Sequence, residues 1–268
     1  MSAHDLIESS GCGDFISSTN RDRRARIYDL VLNGSTPVFD AGVVGDAIQW
    51  PSTASLGLIY DGMPFSAFGT KSWTMRMWAK VSIPGTGYHY IGGVNGYNGY
   101  ARLFAHYASD APGSSNFIIR AYFGDLGSYI ELEHPVEIPQ ADFHRFRMWY
   151  DNDLSEVGFQ VNDEASLTSA VSASFPVGGE WGFQLGEGSG PSTLDDYYDE
   201  IGIWHDYLWT NTESEDDFNA GAGTGWPDVL DRVSRRPMLY WTMDESDSYT
   251  HDRELVPGPR TAFRDMAN

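Results

Sequence analysis

Short runs of alternating apolar and polar residues dominate this chain, and this period-2 pattern predicts β-strands. The clearest run spans residues 73–83, where every second residue from Trp73 to Ile83 is apolar. We expect that apolar face to pack in a core. The opposite face, which carries Arg76 and Trp78, is expected to meet solvent or a ligand.

The same pattern recurs along the chain at intervals of about ten residues. Glycine and proline pairs mark corners between the runs, and only a short acidic turn near Glu213 has helical character. Aromatic residues make up 14% of the chain, with 29 glycines and 13 prolines. These features predict an all-β protein, a two-sheet antiparallel β-sandwich. Further strands are predicted at residues 88–94, 100–107, 117–123, 129–133, 143–150, 157–161 and 181–186.

The stretch of residues 198–204 is predicted to be a buried strand, with Ile201 and Ile203 on one face and Glu200 and Trp204 on the other. An acidic helical turn follows it. Its predicted signals are a cap at Asn211, acids in the first turn, and a stop at Gly221 and Gly223.

The strand pattern divides the chain into three regions, because it is weak near both ends. We predict an N-terminal arm at residues 1–29 and a globular sandwich at residues 30–227. Residues 228–268 are predicted to hold a linker, one extra strand and an extended C-terminal arm.

Charge is distributed unevenly along the chain. The formal net charge is −21, and residues 31–229 hold 26 of the 38 acidic residues but only 7 of the 17 basic ones. An acidic middle repels nucleic acid and anionic lipid, and no apolar run is long enough to insert in a membrane. We expect the arginines near the ends to contact other protein subunits instead. The arginines predicted to do so are Arg21, Arg23, Arg24, Arg26 and Arg253.

Several segments together resemble a known family. They read, in order, LNGSTPVFDAGVVGDAIQW, SWTMRMWAKV, HRFRMWYD with VGFQVND, FQLGEG, YDEIGIW and FNAGAG. In this order and spacing, residues 30 to about 226 resemble the concanavalin A-like, laminin G-like jelly rolls. The resemblance implies a jelly-roll sandwich, in a family that includes lectins, glycosidases and adhesive or structural modules.

In that family, a strand similar to YWTMDES usually begins the domain, whereas here it lies at residues 240–246. We therefore expect this C-terminal strand to fill the first-strand place, either in its own subunit or in a neighbour by strand exchange. Tyr240, Trp241 and Met243 are accordingly predicted assembly contacts.

The carboxylates do not suggest catalysis. Glycosidases of this fold carry three carboxylates at alternate positions of one strand, and this chain has no Glu-x-Asp-x-Glu. Glu131 and Glu133 form a pair without a third member, and adjacency is expected to put Asp199 and Glu200 on opposite faces. We predict that the chain is not an enzyme.

Two kinds of binding site have candidate residues. Calcium prefers oxygen ligands, which Asp195, Asp196, Asp199 and Glu200 offer, although solvated turn acids would look the same. A sugar would stack on aromatic rings beside polar groups. The candidates for that role are Trp78, Tyr97, Asn98, Tyr100 and Trp204.

A non-catalytic binding or assembly module is the function these features favour. The N-terminus has neither the basic region nor the apolar run of a conventional secretory signal. A bacteriophage virion surface protein, of the capsid-decoration or tail-fibre type and attached by its arms, accounts for an adhesive fold without such a signal. One alternative is a lectin-like carbohydrate-binding module of a cell-surface or secreted protein, with glycans as partners. Another is a degenerate glycosidase.

Overall fold

The structure is a computed structural model, and within its described residues the strands form two packed sheets. The prediction of an all-β sandwich is confirmed. The predicted arms lie largely outside the described part of the chain. That part comprises residues 15–17, 30–32, 38–50, 58–63, 71–81, 88–96, 99–107, 116–124, 129–140, 142–171, 181–187, 196–225, 228–235, 237 and 239–241.

Sheet A contains nine of the described strands, in the order β1-β2-β5-β15-β7-β8-β9-β10, with β11 paired to β9. All of these pairs are antiparallel except β1 with β2. The strands are β1 (Phe15–Ser17), β2 (Leu30–Leu32), β5 (Leu58–Met63), β7 (Tyr88–Gly96), β8 (Gly99–Tyr107), β9 (Asn116–Gly124), β10 (Tyr129–Glu133), β11 (Ile138–Pro139) and β15 (Trp181–Glu187).

Sheet B contains eight described strands in the order β14-β13-β12-β6-β16-β4-β3, with β17 paired to β16. Its pairs are antiparallel throughout. The strands are β3 (Val38–Ala41), β4 (Asp46–Trp50), β6 (Trp73–Lys80), β12 (His144–Asp151), β13 (Glu156–Val161), β14 (Leu167–Ala170), β16 (Asp196–His205) and β17 (Leu239–Trp241).

The core lies between the sheets and is built from the predicted apolar faces. In β9, residues 117, 119, 121 and 123 are buried and the residues between them are half-exposed. The seven additional strands predicted from alternation begin and end within two residues of their observed bounds. Each aliphatic or aromatic side chain buried in this way contributes about 1.5–3 kcal/mol to folding.

A cover packs on the outer face of sheet B over β6 and β16. It consists of residues 207–225 and 228–235 and contains α1 (Asn211–Phe218), a 3-10 turn (Asn219–Gly221) and α2 (Val229–Arg232), and the side chain of Tyr240 from β17 packs against it. Thr210, not Asn211, is the N-cap of α1, and Asn219 ends it in the left-handed conformation with φ of 50°.

The cover overturns one prediction about β6. Its second face was expected to meet solvent or a ligand, but Arg76 is fully buried and Trp78 is 1% exposed. The Trp78 ring stacks on Phe218 of α1, with ring centroids 5.8 Å apart. Both faces of β6 are therefore interior, one in the core and one under the cover.

The C-terminal strand β17 joins β16 of its own chain. Leu239 pairs with Ile203 and Trp241 with Ile201, alongside the place where β4 pairs with the first half of β16. Residues 240 and 241 of the predicted extra strand, together with Leu239, thus pair with a strand of their own subunit. Residues 242–246 of that prediction lie outside the described residues.

Candidate functional site

The closing strand β16 contains a β-bulge at Asp199 and Glu200. Its register against β6 shifts between Asp199 and Gly202, and Glu200 has a φ of 45°. Tyr198 and Ile201 consequently both face the core, although they are three residues apart. The extra residue turns Asp199 and Glu200 to the same outer side, so the expectation that they lie on opposite faces was wrong.

Each of these two carboxylates has protein donors. One oxygen of Asp199 accepts hydrogen bonds from the backbone N–H groups of Val43 and Val44, at 2.7 and 3.0 Å. Glu200 accepts the hydroxyl of Tyr240, whose burial raises the pKa of that phenol well above its ordinary value. Both acids therefore hold loop and cover segments on the sheet.

A buried charge network links the cover to sheet B. Asp217 of α1 accepts from Arg76 at 2.9 Å and from Arg145 at 3.3 Å, and all three side chains are fully buried. Arg145 also donates to the carbonyl and hydroxyl oxygens of Ser214. Buried charges persist only when paired and hydrogen-bonded, and this network supplies both conditions. It is a structural device that fixes α1 on the sheet.

The start of α1 is a capping box. Thr210 accepts from the backbone N–H of Glu213, and Glu213 accepts in return from the backbone N–H of Thr210 at 2.8 Å. The other oxygen of Glu213 accepts from Tyr207 and from both N–H and hydroxyl of Ser234. Burial opposes ionisation, but these hydrogen bonds outweigh it and lower the pKa of Glu213 to about 2.

An interior ion pair joins the two sheets. His89 of β7 and Asp196 of β16 approach to 2.5 Å between Nε2 and Oδ2, and the hydroxyl of Tyr198 lies 3.3 Å from the same oxygen. Burial lowers the pKa of His89, but the charge and hydrogen bond of Asp196 raise it to a net value above the ordinary one.

The predicted calcium ligands are not brought together. Asp196 lies in the interior, whereas Asp199 and Glu200 lie on the outer side of the sheet, and Asp195 falls outside the described residues. Within the described ranges, no three His, Cys, Asp or Glu side chains are grouped to hold a metal ion.

The predicted sugar residues are likewise dispersed. Trp78 and Trp204 are buried beneath the cover, where Trp204 packs edge-on against Trp209 and Tyr240. Tyr97 and Asn98 lie outside the described residues. Tyr100 is half-exposed on the outer face of sheet A.

Among the predicted assembly contacts, Tyr240 is fully buried within its own chain. Trp241 is described only through its backbone pairing with Ile201. The remaining members lie outside the described residues, namely Arg21, Arg23, Arg24, Arg26, Met243 and Arg253.

The outer face of sheet A differs from that of sheet B, because its described side chains on β8, β9 and β10 remain accessible. Register places side chains of β8, β9 and β10 in three rows across the strands. We call these rows the tyrosine–arginine face. The first row is Tyr100, Gly124 and Tyr129, the second is Arg102, Tyr122 and Glu131, and the third pairs Arg120 with Glu133.

Tyr129 is the most accessible aromatic residue of this face, at 61% exposed. It lies 5.5 Å from the ring of Tyr122, and the guanidinium of Arg102 stacks 4.6 Å from the ring of Tyr100. Gly124 contributes no side chain between Tyr100 and Tyr129, which flank it on the two neighbouring strands.

The charges of the tyrosine–arginine face balance. Arg120 contacts Glu131 at 3.1 Å and Glu133 at 2.5 Å, and Arg102 supplies the second cation. Two arginines thus offset two glutamates on a chain whose net charge is −21. The face offers ring surfaces and hydrogen-bonding groups without the long-range repulsion of the acidic surface.

Sequence reasoning found Tyr100 and the Glu131–Glu133 pair but missed Arg102, Arg120, Tyr122 and Tyr129. Alternation along β8, β9 and β10 does mark these residues as outward-facing. Which of them are neighbours depends on the strand register, and no local pattern in the sequence encodes that register.

No protein-family model matches this chain, and no curated protein matches it. Many solved structures resemble its fold, and three of them are named here. The first is the binding domain of Paraclostridial Mosquitocidal Protein 1, with a TM-score of 0.53 and 15% identity over 69% of this chain and 46% of that one. The second is the binding domain of Botulinum Neurotoxin DC in complex with SialylT, with a TM-score of 0.50 and 10% identity over 69% of this chain and 44% of that one. The third is the enzymatically active domain of Bacteriophage CBA120 tailspike protein 2, with a TM-score of 0.53 and 10% identity over 77% of this chain and 32% of that one.

At these identities the likeness establishes the fold, a β-sandwich shared with these domains. This chain spans less than half the length of each of them. The finer resemblance to the concanavalin A-like, laminin G-like family stays a prediction. The described α-helices are eight and four residues long, and neither approaches the length that crosses a membrane.

Proposed function

We propose that this chain is a non-catalytic binding module that takes its ligand on the tyrosine–arginine face. The observation that carries this proposal is the row of Tyr100, Gly124 and Tyr129, beside two arginines and two glutamates, on the sheet face that lacks a cover among the described residues. The opposite face of the sandwich, over β6 and β16, is buried by structural contacts.

The ligand chemistry that fits this face is a glycan. Tyrosine rings present apolar surface for a sugar ring, and arginine and glutamate side chains exchange hydrogen bonds with hydroxyl groups. The fold likeness adds support, because two of the similar structures are binding domains and one of these is in complex with SialylT.

Glycan-array binding of the full chain tests this proposal. Tyr129→Ala is expected to weaken binding at least tenfold without a change in thermal stability, because the ring is 61% exposed. Leu154→Ala is the matched control, since Leu154 is 71% exposed on a sheet B hairpin and should leave binding unchanged. Equal binding by both variants and the wild type would place the ligand elsewhere.

Absence of catalysis is part of the proposal. Glu131 and Glu133 contact the same guanidinium, that of Arg120, so they are held as one ion-paired unit. Glycosidases instead need two carboxylates with separate acid and nucleophile roles. Because one similar domain is an enzymatically active tailspike domain, hydrolysis of β-glucans is the check. Turnover that disappears in Glu131→Gln would revive the glycosidase alternative.

The proposed location is a virion surface, with the terminal arms attached to capsid or tail subunits or to copies of this chain. The likeness to a bacteriophage tailspike domain and the arginines near both ends support it. Deletion of residues 242–268 spares strand β17 and the buried Tyr240, and replacement of Arg21, Arg23, Arg24 and Arg26 by serine tests the N-terminal arm without removing strands β1 and β2. Both changes are expected to reduce self-association or particle binding, and unchanged binding would exclude the arms as anchors.

A further inference from the structure

Arg147 is a buried cation at the margin of the cover. It lies on the outer face of β12, where register pairs it with Arg76 of β6 on one side and Gln160 of β13 on the other. Only 3% of the residue is exposed. It is thus the third buried arginine of this face, after Arg76 and Arg145.

The hydrogen-bond partners of Arg147 are incomplete. Its Nε and Nη1 atoms have no acceptor among the residues that the structure describes. Its Nη2 makes a single long contact of 3.5 Å to the hydroxyl of Ser166, and its guanidinium stacks 4.5 Å from the ring of Trp149. No carboxylate of the described chain is within salt-bridge distance of Arg147, whereas Arg76 and Arg145 both contact Asp217.

The charge of Arg147 is nevertheless present at neutral pH. Burial, followed by the neighbouring charge of Arg145, lowers the pKa of Arg147 to about 9. A buried guanidinium without an ion pair is unfavourable, since desolvation costs several kcal/mol, and the more distant charges of Asp217 and Glu213 and the stacking on Trp149 offset it only in part. A native structure that keeps such a group has a reason to do so.

The guanidinium of Arg147 lies close to the protein surface. Ser166 is exposed and Trp149 is half-buried, so one layer of side chains separates Arg147 from solvent. A Cβ at Gly158 would lie 2.0 Å from the indole of Trp149, so this ring packs directly on the backbone of β13. The exposed Thr168 pairs with Gly158 and adds a second hydroxyl beside the ring.

We propose that Arg147 is the centre of an anion-binding site that takes one carboxylate group, with the Ser166 hydroxyl as a second donor. A carboxylate carries a single negative charge, which matches the single uncompensated guanidinium, and its planar oxygens suit guanidinium N–H donors. A phosphate or sulfate would bring a second charge into a strongly acidic chain. The site lies on the other face of the sandwich from the tyrosine–arginine face and is independent of the proposed function.

Thermal unfolding of the full chain at pH 7.5 tests the site, with sodium acetate and sodium propionate as probes against sodium chloride at equal ionic strength. Ligand that binds only the folded state raises the unfolding temperature saturably. We expect both carboxylates to do so in the wild type and in Arg232→Met, a control that removes an exposed cation of α2, but not in Arg147→Met. In chloride alone, Arg147→Met should unfold at the wild-type temperature or above it, since it removes an uncompensated charge.

Equal carboxylate responses in wild type and Arg147→Met would overturn the site, as would a larger Arg147-dependent response to sulfate than to acetate. If Arg147→Met does not fold, the same acetate titration is made with Arg147→Lys and Ser166→Ala. Lysine keeps the charge but loses the fork, so its half-saturating acetate concentration should rise at least tenfold. If both variants keep the half-saturating acetate concentration of the wild type, the proposal is also refuted.

Discussion

Replacing Asp217 by asparagine removes the carboxylate shared by two buried arginines. In the wild type, this carboxylate lies 2.9 Å from a nitrogen of Arg76 and 3.3 Å from one of Arg145, and no part of the three side chains reaches solvent. The amide of asparagine keeps one acceptor oxygen but turns an N–H group toward a cation. Two positive charges then remain buried beneath α1 with too few acceptors.

The structure sets the size of this effect. Hydrogen bonds to charged groups contribute about 1.5–3 kcal/mol each, and two of them are weakened. Breaking a buried ion pair by removing one partner costs about 3–5 kcal/mol, in the same range. In a chain of this size, that corresponds to a fall in unfolding temperature of roughly 6–20 °C.

Urea unfolding followed by tryptophan fluorescence measures the loss, because Trp78 and Trp204 lie under the cover and report its release. Asp216→Asn is the matched control, as Asp216 is the exposed neighbour of Asp217 in α1 and should change stability by less than about 0.5 kcal/mol. A loss below about 1 kcal/mol in Asp217→Asn, or an equal loss in both variants, would refute the role assigned to the network.

Two further predictions concern pH. Glu213 has a folded pKa lowered to about 2, so its contribution to stability is complete above its ordinary value of 4.5 and is lost as pH falls toward 2. The stability gap between wild type and Glu213→Gln should therefore shrink from pH 6 to pH 2.5, and a constant gap in urea titrations would contradict this. The folded pKa of His89 is raised, so its pairing with Asp196 stabilises the fold fully below 6.5 and less as pH rises through the raised value. The gap between wild type and His89→Gln should be wider at pH 6 than at pH 9, and the reverse order would exclude the ion pair as a source of stability.

The sequence by itself determined most of the longer strands and the class of fold, although β5 and the short strands β1, β11 and β14 were not predicted. Alternation requires only that neighbouring side chains point to opposite sides of the backbone, which is a local property. It located β9 and the core residues of β6, and the closing strand β16 was recognised with its apolar positions Ile201 and Ile203. The acidic turn before Gly221 was also recognised, although its cap is Thr210.

Tertiary structure decided which faces are buried and which residues meet. Trp78 was predicted to contact a sugar because its face of β6 is polar, but α1 covers that face. Arg76, on the same face, donates a hydrogen bond to Asp217, which is far away in the sequence. Asp199 and Glu200 share a side because of a bulge set by pairing with β6. The rows that bring Tyr100 beside Tyr129 depend likewise on register across three strands. Register, bulges and covering elements arise from contacts far apart in the chain, so a local pattern can suggest an outward residue but not its neighbours.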